Sequence, residues 1–359
     1  MRKVGIFGGS FSPPHIGHTR AAIEFYDALE LDELLIIPAA KPPHKVLDHA
    51  VSDEDRLRML ELALTNSVGS RNIVISSLEL ERSGVSYTAD TLAALDSDDV
   101  QLYFLCGTDM FVTLDKWRRA DEIFRRAVMV LARREDDLTA EIAEKIREYE
   151  QQYAARIVTL PLPALEISSS EIRAALANGV VQVTGLEPSV EGYIRANGLY
   201  DVPLDLAPLR EQVRTRMSAY RFEHTLCVEE ECVKLAEIFA LSEREARQLR
   251  IAAILHDVAK EVKSPRHHAD EGAIVAARDF AHWVTGEICE MIALHSTRSI
   301  STTLLQSLLQ LADAIGSDRT HKINIATREQ FWHAVQQGEM NQEKLNKLLI
   351  ENKRKWKNE

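Results

Sequence analysis

Residues 4–7, Val4-Gly5-Ile6-Phe7, form an apolar run without polar alternation, the pattern of a short strand covered on both faces. Residues 33–37 repeat it and end at Pro38, and residues 73–75, 103–106, 128–131 and 157–160 continue the series. Helical spacing fills the gaps. Ala22, Phe25 and Leu29 mark a helix ending near residue 29, and residues 53–64 and 138–153 are the clearest others. Strand and helix in alternation, with few hairpin turns, predict right-handed crossovers and a parallel sheet. Ligands of such sheets bind beyond the carboxyl ends of the strands. From about Leu209 the pattern is helical throughout, ending in a charged helix, 341–359, striped by Leu345, Leu348 and Leu349. Gly198 is a natural helix stop, and Pro203 and Pro208 bracket a stretch where helix cannot run freely. The expected organisation is an α/β domain at 1–201, a linker at 202–208 and an all-α domain at 209–359.

Gly8-Gly9 after the first strand let the backbone turn and approach a ligand, with Ser10 and Phe11 completing the turn. Pro13-Pro14 then stiffen a helix start that carries His15 and His18 on one face. Bare amides, the helix dipole and two imidazoles make a cradle for a polyphosphate. A Gly-Gly turn alone is common, and a lone histidine near a helix start is usually a cap. Two at this spacing behind the turn favour function. Neither the dinucleotide fingerprint nor a P-loop is present.

At 359 residues the chain can hold two cores, and its composition, 45% hydrophobic and 27% charged, is that of an ordinary soluble protein. A net charge of -12 argues against a general nucleic-acid binder. The four cysteines, Cys106, Cys227, Cys232 and Cys289, have neither C-x-x-C spacing nor disulfide density. With no signal peptide and no membrane-length apolar run, a cytoplasmic protein is expected. The 12 histidines lie at or before His49 or at or after His224, as two separate chemistries would place them.

Further candidates follow the strands. His44 and Lys45 sit in a Pro-Pro loop and bring positive charge to a phosphate, or merely solvate it. Thr88 opens a helix, as N-cap or contact; Gly107 and Asp109 follow the fourth strand, and Trp117 alone reads as core packing. Ser168, Ser169 and Ser170 start a helix, with Ser168 and Glu171 as a capping box; capping leaves Arg173 unexplained. His15-Ile16-Gly17-His18 resembles the H-x-G-H signature of the nucleotidyltransferase superfamily. With the Pro-Pro-His-Lys, Tyr-Thr-x-Asp-Thr-Leu, Gly-x-Asp…Trp and Ile-Ser-Ser-x-x-Ile-Arg stretches, residues 1–200 resemble bacterial nicotinate-nucleotide adenylyltransferase. Ser12 departs from that pattern, where Asp is usual. The resemblance implies a Rossmann-like fold and transfer of AMP from ATP to nicotinate mononucleotide, a step of NAD biosynthesis. His15, His18, Lys45, Arg173 and Mg²⁺ would supply positive potential, and Thr88 and Trp117 would cradle the pyridine ring. Asp109 would orient hydroxyls or a metal-bound water.

In the helical half His224, His256-Asp257, His267-His268, His295 and Asp313 lie on or beside apolar helices. One such histidine is usually a satisfied core residue; the series suits a divalent metal. It resembles the His-Asp (HD) phosphohydrolase superfamily, and the surrounding stretches resemble the symmetrical diadenosine tetraphosphate hydrolases. The resemblance implies a transition-metal pair, iron or manganese. On that resemblance one metal would lie on His224, His256, Asp257 and Asp313, and the other would use His268 and His295, with Asp257 bridging. Ala269 and Gly316-Ser317 depart from the family pattern. Two metals clamp a phosphate and supply nucleophilic water at neutral pH. Lys260 would meet the polyphosphate or remain a solvated helix lysine. The expectation is a bifunctional enzyme acting on small nucleotides, with no nucleic acid or membrane partner and oligomerisation left open. Another nucleotide phosphohydrolase, or a sensor that does not cleave, is the alternative for the second half.

Overall fold

The protein is described here from a computed structural model, which places residues 1–40, 51–65, 67–82, 84–133, 140–162, 167–296 and 301–358. It divides into two compact units, Met1–Ala175 with Val183–Val190, and Leu176–Gln182 with Glu191–Glu359.

The first unit is a six-stranded sheet in the order β3-β2-β1-β4-β5-β6. The strands are β1 Arg2–Gly9, β2 Glu33–Pro38, β3 Ile73–Ile75, β4 Val100–Gly107, β5 Ala127–Arg133 and β6 Ile157–Pro161. Every pairing is parallel. Each predicted strand is present, because parallel strands buried on both faces read as unbroken apolar runs. Val4, Ile6, Leu102, Phe104, Met129 and Leu131 pack one face with Phe111 and Phe124, while Leu34, Ile36, Leu105 and Val130 pack the other with Phe25. The helix Ile16–Ala28 crosses from β1 to β2. The strand order reverses between β1 and β4, so loops after these strands diverge and leave a crevice.

The second unit is helical, built around Leu249, Ile254, Leu255, Leu308, Leu311 and Phe331. The terminal helix, Gln342–Asn358, buries Leu345, Leu348 and Leu349 as its apolar stripe predicts. Helix starts are marked by side-chain caps: Ser242 with Glu245, and Thr303 with Gln306, form capping boxes.

The boundary differs from the expected 202–208. The helix Pro188–Asn197 straddles the division, and Ala196 and Leu206 belong to the second core. Arg195 and Glu191 pair at 2.8 Å, both buried. Burial of that pair depends on tertiary partners that local proline and glycine signals do not report.

Candidate functional sites

The turn after β1 is held from below by arginines. Arg56, only 1% exposed, donates from Nη1 to the Ser10 carbonyl at 3.0 Å and from Nη2 to Asp53 at 2.5 Å. Arg173 Nη1 donates to the Ser12 carbonyl at 2.7 Å, and Ser169 Oγ donates to the Pro13 carbonyl at 3.0 Å. Phe11 has a φ of 46° and is buried, its ring in edge contact with Phe7 and His18. A Cβ at Gly9 would meet that ring at 2.9 Å, which accounts for the glycine.

His15 and His18 face each other with ring centroids 3.7 Å apart. The His15 backbone N–H donates to His18 Nδ1 at 3.2 Å, so a neutral His18 carries its proton on Nε2. Gly17 lies under the His15 ring, and a Cβ there would sit 3.0 Å from it. Burial pushes the His15 pKa down to about 4, so it is a neutral hydrogen-bonding group at pH 7. The positive potential expected of His15 therefore reduces to the dipole of an N–H.

Two cavities open at the carboxyl ends of the strands. The larger, about 660 Å³, is lined by Gly8, Gly9, Ser10, Thr88 and Trp117 among others. The smaller, about 370 Å³, is lined by His15, Gly107 and Asp109 among others. Phe7, His18 and Met110 line both. Thr88 and Trp117 both line the larger cavity, and Trp117 also packs against the core of the first unit.

Other expected contacts fall differently. Phe11 is a prop within the core, outside both linings. Ser168 and Glu171 form the predicted capping box, and Ser170 accepts from Arg173 at 3.1 Å. Arg173 braces the turn, because its guanidinium is committed to Ser12 and Ser170. His44 and Lys45 lie outside the described residues. Sequence reasoning missed Arg56, and it missed the basic residues lining the cavities: Arg20 and Arg133 in the smaller, Lys116 and Arg118 in the larger. Arg118 lies 4.5 Å over the Tyr87 ring. For Arg20, Lys116 and Arg118 the signal was a positive residue one or two positions from a motif histidine or tryptophan; Arg56 and Arg133 carry no such signal.

Asp109 lines the smaller cavity, and one carboxylate suits Mg²⁺, which is held by one or two carboxylates together with substrate phosphates.

In the second unit the expected residues come from helix ends. His256 follows the helix Glu243–Leu255, and its Nδ1–H donates to the Ala253 carbonyl at 2.7 Å. His295 follows Gly286–Leu294 and donates likewise to the Ile292 carbonyl at 2.6 Å. Each imidazole thereby satisfies a last-turn carbonyl and turns its Nε2 lone pair inward. Those nitrogens lie 3.8 and 3.4 Å from the buried Asp257 carboxylate. His268 Nε2 lies 3.5 Å from the same carboxylate.

His224, His256 and Asp257 form one triad with metal-ligand spacing, and Asp257, His268 and His295 form another. His256 Nε2 and both Asp257 oxygens are buried without a hydrogen-bond partner among the described residues. Orphaned lone pairs converging in this way fit a divalent cation. Burial opposes the charge of Asp257, but His256, His295 and Lys260 beside it hold its carboxyl well below the usual range. Burial pushes His256 and His268 down to about 4, keeping them neutral as ligation requires.

Asp313 Oδ1 is 3.1 Å from His224 Nε2 and lies outside both triads. Lys260 points inward, its Nζ 2.8 Å from His268 Nε2 and 3.5 Å from Asp257. His267 caps the following helix by accepting from the Ala269 N–H at 3.3 Å. Asp318, which sequence reasoning missed, lies 2.8 Å from His224 Nδ1. A Cβ at Gly316 would meet Asp318 Oδ1 at 2.9 Å, so the departure at that position makes room for this carboxylate.

A switch-point crevice with paired histidines defines a nucleotidyltransferase class of domain, followed by a helical unit with the His-Asp constellation. A family described as cytidylyltransferase-like matches residues 6–175, and the HD domain matches residues 221–318. A probable nicotinate-nucleotide adenylyltransferase of Lachnoclostridium phytofermentans is 35% identical over 202 residues, covering 56% of this chain and all of that protein. One of Geobacillus thermodenitrificans is 37% identical over 210 residues, covering 58% of this chain and 90% of the relative. The Plasmodium falciparum nicotinic acid mononucleotide adenylyltransferase structure complexed with NaAD aligns with a TM-score of 0.48 at 21% identity, over 57% of this chain and 100% of that one. The chain belongs to the nicotinate-nucleotide adenylyltransferase family through its first two hundred residues, with an HD domain after them. No described helix is long and apolar enough to cross a membrane.

Proposed function

We propose that the first unit transfers AMP from ATP to nicotinate mononucleotide, releasing pyrophosphate. One observation carries this reading: two cavities share a wall at Phe7, His18 and Met110, where the reacting phosphates of two nucleotides would meet. The mononucleotide phosphate is already an anion. Its oxygen bonds to the α-phosphorus of ATP as the bond to pyrophosphate breaks, and no proton need be removed first. His15 and His18 then serve as donors to the phosphates, the helix start adds its dipole, and the arginine-braced turn fixes their positions. Mg²⁺ on Asp109 and the phosphates would neutralise charge on the leaving group. Thr88 and Trp117 suit a flat aromatic ring in the larger cavity. The test is synthesis with nicotinate or nicotinamide mononucleotide and ATP, products resolved by chromatography. Preference for the nicotinate substrate is expected; equal specificity constants would overturn that assignment.

For the second unit the proposal is hydrolysis of diadenosine tetraphosphate to two ADP by a dinuclear metal site of iron or manganese. Supporting it is the sharing of Asp257 by two ligand triads. The metals would polarise the attacked phosphate, while this chain's His256 and His295 are held in the ligating tautomer by backbone carbonyls. Turnover of a dinucleoside polyphosphate panel tests it. Two ADP are expected, and AMP with ATP would overturn the symmetric cut. Nucleotide binding without cleavage would make the unit a sensor.

A further inference from the structure

Arg319 reaches into the His-Asp constellation from the segment after the helix Leu304–Ile315. Its Nη2 contacts both His224 Nε2, at 2.8 Å, and Asp313 Oδ1, and its Nε donates to the Asp313 carbonyl at 3.0 Å. A guanidinium has donors only, so His224 Nε2 is the acceptor, and the proton on Nδ1 goes to Asp318 at 2.8 Å. This is the tautomer a metal ligand needs. The guanidinium thus takes two lone pairs that a divalent cation at this position would also take. Its segment is braced by Arg328, which donates to the carbonyls of Ile315 at 2.6 Å, Gly316, and Arg319 at 3.0 Å.

We infer that Arg319 is a built-in competitor for the metal position at His224 and Asp313. A cation bound there displaces the guanidinium, which the Arg328 brace keeps beside the site as an anion contact. The inference rests on the metal reading of the helical unit. Two cations cannot share these lone pairs, so removing one strengthens the other by mass action. Arg319 hydrogen-bonds His224 and Asp313, and it reaches Asp257 through its charge alone, so the position at His224 and Asp313 responds most.

The experiment titrates the full chain with Mn²⁺ and counts the free ion by electron paramagnetic resonance. Wild type, Arg319→Ala, Arg319→Gln and Arg319→Lys are compared, with folding checked by circular dichroism. Tightening of one site by about tenfold in the Ala and Gln variants, with Lys between, is expected. Should the Ala variant fail to fold, the Gln and Lys variants carry the comparison. Unchanged or weaker Mn²⁺ binding in the neutral variants would overturn the competition. Absence of Mn²⁺ binding by every protein, wild type included, would overturn the metal reading instead.

Discussion

Arg56 donates to the Ser10 carbonyl at 3.0 Å from a position only 1% exposed, so a buried charge is committed to holding the turn after the first strand. Arg173 holds the Ser12 carbonyl from another helix. Preorganisation of this kind matters when the chemistry is positional, because donors must lie where charge develops. Replacing Arg56 by Met keeps volume but leaves the Ser10 carbonyl and Asp53 without the guanidinium. The expected result is a loss of about 10–100-fold in kcat for dinucleotide synthesis. An unchanged kcat in a folded Arg56→Met variant would refute it.

His18 lines both cavities, so His18→Ala removes a donor to either nucleotide. A fall of about 10²–10³-fold in synthesis is expected, the scale for one preorganised donor. Gly17→Ala crowds the His15 ring at 3.0 Å and should lower the rate with both histidines still present. Steady-state kinetics of the two variants check both statements; near-wild-type synthesis in either contradicts the site.

The buried His15 imidazole has a pH signature. Its folded pKa is lowered to about 4 from 6.5, so between these values the unfolded chain binds a proton that the folded chain refuses. Stability from this residue is full above pH 6.5 and is lost as pH falls towards 4, by roughly 3 kcal/mol at most. Denaturation midpoints of wild type and His15→Gln, compared from pH 7 to 4.5, test the sign. The wild type should lose more stability on acidification than the variant; parallel profiles would contradict it.

The sheet was legible because strands buried on both faces cannot hide their apolar runs, and all six lie where the pattern puts them. The motif histidines were legible because paired imidazoles at a glycine turn have few structural uses. Arg56 and Arg319 were not, since an arginine in a charged stretch reads as solvated until its acceptors are known. Asp318 was hidden for the same reason: its partner His224 lies ninety-four residues away in sequence. The reach of the second core back to Glu191 was not legible because Ala196 and the Glu191–Arg195 pair gain their burial from partners in the folded second unit.

That division predicts how the chain can be cut. A fragment of residues 209–359 discards Ala196 and Leu206 from the core of the second unit, together with the buried Glu191–Arg195 pair. A fragment beginning at Leu176 keeps them. The longer fragment should express as soluble, cooperatively melting protein, and the shorter should melt at least several degrees lower or aggregate, as losing about 1–3 kcal/mol of burial implies. Equal melting temperatures would return the boundary to the proline-bracketed stretch.

Asp257 is the one carboxylate common to both triads, so its loss should differ in kind from loss of a neighbour. His256 and His295 keep their tautomers through backbone carbonyls, and Asp257→Ala leaves those bonds in place. What disappears is the anion between them, and with it the charge that, on the proposed dinuclear reading, would draw two cations to one spot. Metal content should fall at both positions together, and hydrolysis should drop by at least about 10³-fold, more than a single preorganised donor supplies. Lys260 lies 2.8 Å from His268 Nε2 and 3.5 Å from Asp257, so Lys260→Ala removes a cation beside the site without removing a ligand. Its effect on turnover should be smaller, and both positions should still take up metal. Hydrolysis of diadenosine tetraphosphate in ¹⁸O-water distinguishes the parts: attack by water puts the label into one ADP, and free inorganic phosphate should not appear. Full activity of Asp257→Ala, or metal lost from one position alone, would show that the triads do not act through a shared carboxylate.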